Sequence, residues 1–130
     1  MMRHIHKHIM SFRHAFRGMF WAFRTERSYA IHFTLSALSL IGGIVLHVSH
    51  SEYLIIILLV FGGLAVEMIN TAFEETTDAI DTKYREDIKR AKDVSAGAML
   101  TYAIGAAVIA CYIFVPKILV LFGSPVIHLP

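Results

Sequence analysis

Glu67, Asn70, Glu74, Asp78 and Asp81 follow one another at intervals of three and four residues. A helix turns about 100° per residue, so this spacing puts them on one face, with Thr71 close beside. Met68, Ile69, Ala72, Phe73, Ala79 and Ile80 occupy much of the remaining surface. Two carboxylates a turn or two apart suit a shared divalent cation. A hard ion such as Mg2+ takes oxygen ligands and completes its shell with substrate phosphates and water. A further carboxylate on the same face suits a general base acting on a hydroxyl group. Lys83, Arg85 and Lys92 follow soon after and would balance phosphate charge. Metal, base and cations are the parts of phosphoryl transfer. Glu75 and Asp81 are expected only to solvate the helix end. The sequence has neither a Gly-x-x-x-x-Gly-Lys-Ser/Thr loop nor a Gly-x-Gly-x-x-Gly run, so neither common nucleotide-binding design applies.

The elements that must hold these groups are unusually apolar. Of the 130 residues, 56% are hydrophobic and only 17% charged. A soluble domain carries about 45–50% apolar and about 25% charged residues. Nine Phe and five Tyr exclude a disordered chain. The length leaves no room for two domains. The single cysteine, Cys111, excludes an intramolecular disulfide and a cysteine metal cluster, and is expected only to pack.

Three runs are long enough to cross a bilayer core of about 30 Å, which needs about 20 helical residues. They cover 28–47, 51–72 and 92–116, the second with a cytoplasmic extension to about 82 and the third closed by Pro116 and Lys117. Nothing after the first run reads as a signal-peptide cleavage site. Arg3, Lys7, Arg13, Arg17, Arg24 and Arg27 precede the first run, and Lys83, Arg85, Lys89, Arg90 and Lys92 lie between the second and third. The link from His47 to Glu52 holds no lysine or arginine. The positive-inside rule then puts the N-terminus and the second link in the cytoplasm. If the second span enters at about Ser51, Glu67 sits within about one turn of the cytoplasmic interface. A carboxylate at the bilayer centre costs about 2.5–3.5 kcal/mol on insertion scales, and less near the edge, so such a residue points to function.

Ahead of the spans, Phe12, Phe16, Met19, Phe20 and Phe23 recur at three- and four-residue intervals, with Arg13, Arg17 and Arg24 on another stripe. Residues 8–26 are therefore expected to form an amphipathic interfacial helix, with Trp21 as an anchor. Small residues four apart (Ser39 and Gly43, Ala103 and Ala107, Ala106 and Ala110) permit close helix approach in lipid. Three spans make a small bundle, which points to oligomerisation. Gly97 gives either close helix packing or room for a ligand. His4, His6 and His8 are expected in a solvated terminus, and His47 and His50 at the outer interface. The tail, 117–130, has no assigned role, and no nucleic-acid partner is expected.

The run from Glu67 through Asn70, Thr71 and Phe73 to Glu74, followed by Asp78, resembles the signature of the prokaryotic diacylglycerol kinase family. So does Arg90-Ala91-Lys92-Asp93 leading into Ser95-Ala96-Gly97. Phe16-Arg17-Gly18 and Thr25-Glu26-Arg27 are similar to that family at matching separations. The resemblance spans roughly residues 11–117. Thr25-Glu26-Arg27 and Pro116-Lys117 look most like the Gram-positive, undecaprenol kinase branch. His32 stands where the Gram-negative diacylglycerol enzymes carry an acidic residue.

The resemblance implies an all-α membrane protein of three transmembrane helices and an interfacial helix, assembled as a homotrimeric bundle with shared active sites in the cytoplasmic membrane. It implies transfer of phosphate from ATP, with Mg2+, to a lipid alcohol, undecaprenol before diacylglycerol. By matched position Glu67 is the base on the lipid hydroxyl, Glu26 and Glu74 hold the metal, and Asn70 supports Glu67 or the phosphate. Lys92 meets the transferring phosphate, Asp93 the nucleotide or Lys92, and Asp78 the nucleotide end. His14 and the linker Lys83-Tyr84-Arg85 occupy nucleotide-facing positions without matching the family's residues. Two readings from other classes compete. A small ion-binding subunit would not need Glu26 or the Lys92-Asp93 pair. A structural scaffold leaves Glu67 and Asn70 unexplained.

Overall fold

The computed structural model describes residues 2–81 and 83–123, with side chains from His8 onward. The side chains of His4 and His6, residue 82 and the tail from 124 lie outside the described residues. The chain forms four helices, α1 (Met2–Thr25), α2 (Ser28–Val45), α3 (His50–Ile80) and α4 (Glu86–Leu121). There is no strand among the described residues. Helices α2, α3 and α4 are each long and apolar enough to cross a membrane.

The lengths are informative. Helix α3 has 31 residues and α4 has 36. At 1.5 Å per residue these span about 46 and 54 Å, well beyond a core of about 30 Å. Both therefore overhang the bilayer, and the overhang carries the polar residues. Helix α4 starts at Glu86, upstream of the expected span at 92, because Glu86 and Asp87 in its first turn favour a helix N-terminus. It also continues through Pro116 to Leu121. Proline interrupts a soluble helix, but in a membrane bundle neighbouring groups accommodate the lost N–H. Helix α1 begins at Met2, ahead of the expected 8.

Short connections set the angles. Glu26 and Arg27 alone separate α1 from α2. Phe23 packs edge-on against Tyr29 and Phe33, each at 4.9 Å between ring centroids, which braces this elbow. Tyr29 is fully buried. At the turn between α2 and α3 His47 has φ 50°, a left-handed conformation that favours glycine. The Val48 N–H donates back to the Gly43 carbonyl at 3.1 Å, closing α2 in the manner of a Schellman turn. Ser49 and Glu52 then form a capping box, with the Ser49 N–H donating to Glu52 Oε2 at 2.6 Å. Glu52 also pairs with Lys117 of α4 at 3.1 Å, so one carboxylate caps α3 and ties α4 to it.

Helix α3 is the central post, packed chiefly on α4 and then on α2. Gly62 and Gly63 make this possible. A side chain at Gly62 would overlap the Tyr102 ring and hydroxyl, and the Tyr102 hydroxyl donates to the Leu59 carbonyl in the same turn of α3. Tyr53 and Ile56 pack against Gly43 of α2, leaving little room for a Cβ. By contrast, a Cβ at Gly97 meets nothing within 4 Å, so no helix of this chain packs there.

The core is thin. Ala22, Tyr29, Ile56 and Ile113 are the buried hydrophobic residues among those described. The accessible surface is 10209 Å², against about 6900 Å² for a compact soluble monomer of this mass. The excess is apolar helix surface, which needs lipid or other protein against it.

Gly62→Ala should destabilise the detergent-solubilised protein by about 1–3 kcal/mol, through overpacking against Tyr102. Gly105→Ala, where a Cβ has open space, should keep or raise the thermal midpoint, because alanine favours a helix interior over glycine. Equal midpoints for the two variants would remove this contact from the account of the fold.

Candidate functional site

The elbow between α1 and α2 faces the C-terminal part of α3 across a cleft of about 480 Å³. Glu26, Arg27 and Ser28 line it from the elbow, and Glu67, Asn70, Thr71 and Glu74 from α3. Intervals of three and four residues on one helix face bring the α3 groups together. The two-residue elbow brings Glu26 opposite them. Glu67 is 5% exposed and Thr71 4%. Asn70 Nδ2 donates to Glu74 Oε1 at 3.1 Å, while Asn70 Oδ1 is buried without a partner. A carboxylate only accepts, so this contact fixes which way the amide points and leaves Oδ1 as an acceptor.

The cleft's charge balance limits what it can hold. Three carboxylates face one guanidinium, which repels a polyphosphate and attracts a cation. Among the described residues no three acidic, histidine or cysteine side chains converge tightly enough to hold an ion alone. Hard oxygen donors in an incomplete set fit Mg2+, which usually binds through one or two carboxylates and takes the rest from phosphate and water. The unpartnered Asn70 Oδ1 adds a further oxygen of the same kind.

The remaining sequence candidates lie elsewhere. Asp78 and Lys92 form an ion pair at 2.6 Å that joins the ends of α3 and α4. Asp93 is exposed on α4, and His14 is exposed on α1; neither lines the cleft. Lys83, Tyr84 and Arg85 are exposed in the α3–α4 linker. The linker is internally bonded, with the Lys83 N–H on Asp81, the Tyr84 hydroxyl on Glu86 and the Arg85 guanidinium on Asp87. The hydrogen bond to Glu86 raises the Tyr84 phenol above its ordinary pKa, and Asp87 does the same for Arg85.

Three features escape sequence reasoning. His32 Nε2 of α2 lies 3.6 Å from Glu67 Oε2. The Tyr29 hydroxyl is buried without a hydrogen-bond partner. A second, apolar groove of about 280 Å³ runs between the three long helices, lined among others by His32, Leu35, Ile56, Tyr102, Ala106 and Phe114. The small residues Ser39, Ala103, Ala106, Ala107 and Ala110 open this groove. Their spacing in the sequence signals close approach without saying whether a helix or a ligand approaches.

Comparison with known proteins follows the same pattern. Residues 13–114 match the family model of prokaryotic diacylglycerol kinase. Undecaprenol kinase of Bacillus subtilis (strain 168) is 38% identical over 114 residues, covering 88% of this chain and 93% of that protein. Diacylglycerol kinase of Synechocystis sp. (strain ATCC 27184 / PCC 6803 / Kazusa) is 32% identical over 112 residues, covering 85% of this chain and 64% of that protein.

The Asp78–Lys92 pair is solvent-accessible on both sides. A double-mutant cycle with Asp78→Asn and Lys92→Gln should therefore give a stability coupling of about 0–1 kcal/mol. A larger coupling would make the pair a structural clamp.

Proposed function

The chain belongs to the prokaryotic diacylglycerol kinase family and is a lipid kinase, and from that premise we propose that it phosphorylates undecaprenol at the cytoplasmic face of the cell membrane. The reading rests above all on Glu26, Glu67, Asn70 and Glu74 sharing one cleft on the polar overhang of apolar helices. Greater coverage and identity to the undecaprenol kinase favour that acceptor. Diacylglycerol is the second reading, favoured by the other relative's name.

ATP enters from the cytoplasm, the side that lysine and arginine counting gives to the N-terminus and the α3–α4 linker. Glu26 and Glu74 would hold Mg2+, which would supply neutralisation of phosphate charge in a cleft otherwise too negative for ATP. Asn70 keeps Glu74 oriented through its amide. Glu67 accepts the proton of the lipid hydroxyl, and its shielding from bulk water favours the lipid over water as acceptor. The lipid chain occupies the apolar groove beside His32, so the hydroxyl reaches Glu67 from the membrane side. Lys92 meets the transferring phosphate, with Asp93 and Asp78 toward the nucleotide. His14 and Lys83, Tyr84 and Arg85 cover the nucleotide.

Lys92 and Asp93 do not line the cleft of their own chain. A homotrimer in which a neighbouring copy brings these groups to the cleft completes the site. It also covers part of the large apolar surface.

Phosphate transfer from ATP is measured in mixed micelles, with undecaprenol and diacylglycerol offered separately. Undecaprenol should be the better acceptor. Glu67→Gln should lower transfer by about 10²–10⁴-fold, the usual worth of a general base. Chelation of Mg2+ should abolish transfer. Preference for diacylglycerol would keep the mechanism and change the acceptor. Absence of transfer to either lipid would return weight to an ion-binding or scaffold role.

A further inference from the structure

We infer that His32 is a second contact to the acceptor hydroxyl, holding the lipid oxygen jointly with Glu67. This rests on the lipid-kinase reading and deepens it. The 3.6 Å between His32 Nε2 and Glu67 Oε2 exceeds the 2.7–3.2 Å of an N–H···O hydrogen bond. The two groups are therefore neighbours without a bond between them. The Glu67 side chain beside His32 is only 7% exposed. One oxygen placed about 2.8 Å from each closes a triangle on that 3.6 Å base, with good hydrogen-bond lengths on both sides.

His32 also stands at a boundary. It lines the apolar groove between the long helices, whereas Glu67 lines the polar cleft. An alcohol arriving along the groove reaches His32 on its way to Glu67. The imidazole is 23% exposed, open enough to be touched.

The hydrogen-bonding capacity of an alcohol fits this pair. Its oxygen carries one hydrogen and two lone pairs. The hydrogen points to Glu67 Oε2, one lone pair accepts from the His32 Nε2–H, and the other is aimed at the γ-phosphorus. In the transfer the lipid oxygen forms the new O–P bond and its proton passes to Glu67. The bond from the γ-phosphorus to the bridging oxygen breaks, and its electron pair leaves with ADP. His32 gains and loses nothing; it fixes the direction of attack. A primary hydroxyl at the end of a single hydrocarbon chain suits a groove lined in part by the small residues Ser36, Ser39, Ala103 and Ala106.

The test compares wild type with His32→Leu and His32→Gln in micelles containing undecaprenol, with ATP hydrolysis in the absence of lipid measured in parallel. For His32→Leu, kcat for lipid transfer should fall by about 100-fold, the scale of a misplaced reactant. The KM for ATP and the lipid-independent hydrolysis should stay at wild-type values, which a general loss of structure would not allow. His32→Gln retains an amide donor and should recover most of the lost kcat. Should His32→Leu fail to fold, His32→Met takes its place. Wild-type kcat in the apolar variant overturns the inference, as does a glutamine variant no better than leucine, or a loss that follows the KM for ATP. Transfer to neither lipid by wild type overturns the kinase reading and this inference with it.

Discussion

Holding the Glu67 carboxylate away from water at the edge of an apolar helix is the constraint on which the other features depend. A charge in that position is unfavourable, and its burial to 5% exposure needs structure on every side. Helix α3 overhangs the bilayer, so the carboxylate lies near its polar end. The α1–α2 elbow closes over that end, braced by Phe23, Tyr29 and Phe33. Helix α2 brings an imidazole to within 3.6 Å. The same arrangement leaves a polar cleft lined by Glu67 and an apolar groove lined by the neighbouring His32. A water-soluble phosphate donor and a membrane-soluble alcohol can thus approach one oxygen from two phases.

The fold achieves this with very little buried apolar surface. Its packing is concentrated where glycines let aromatic rings touch the backbone of a neighbouring helix, as Tyr102 does at Gly62 and Gly63. In lipid there is no hydrophobic drive to bring helices together, so such contacts and interhelical hydrogen bonds carry more of the association. The exposed apolar faces of α2 and α4 are consistent with this economy, since such faces need lipid or other protein against them.

The sequence makes some of this legible for simple reasons. Helix number and class follow from run length and composition, because a membrane span is a local property. The α3 stripe follows from spacing, because neighbours on one helix face are fixed by its pitch. Glu26 is different. No periodicity ties it to Glu67, and only family resemblance singles it out; a two-residue elbow is what places it opposite α3. The His32–Glu67 approach and the Tyr102–Leu59 hydrogen bond depend on the angles and separations of different helices, which local patterns do not encode. The course of α4 beyond Pro116 was also hidden. A proline signals a helix end in water, whereas in lipid the surrounding helices decide.

The double role of Glu52 has a mechanical consequence. It caps α3, and through Lys117 it fastens α4 to the same point, at the end of the bundle remote from the cleft. At the opposite end the join is the solvent-accessible Asp78–Lys92 pair and a linker bonded mainly to itself. The two longest helices therefore form a hairpin, closed by the chain itself at the linker and latched at its far, open end by one carboxylate. Losing that latch would release the free ends of both helices, whereas the linker would still tether them beside the cleft.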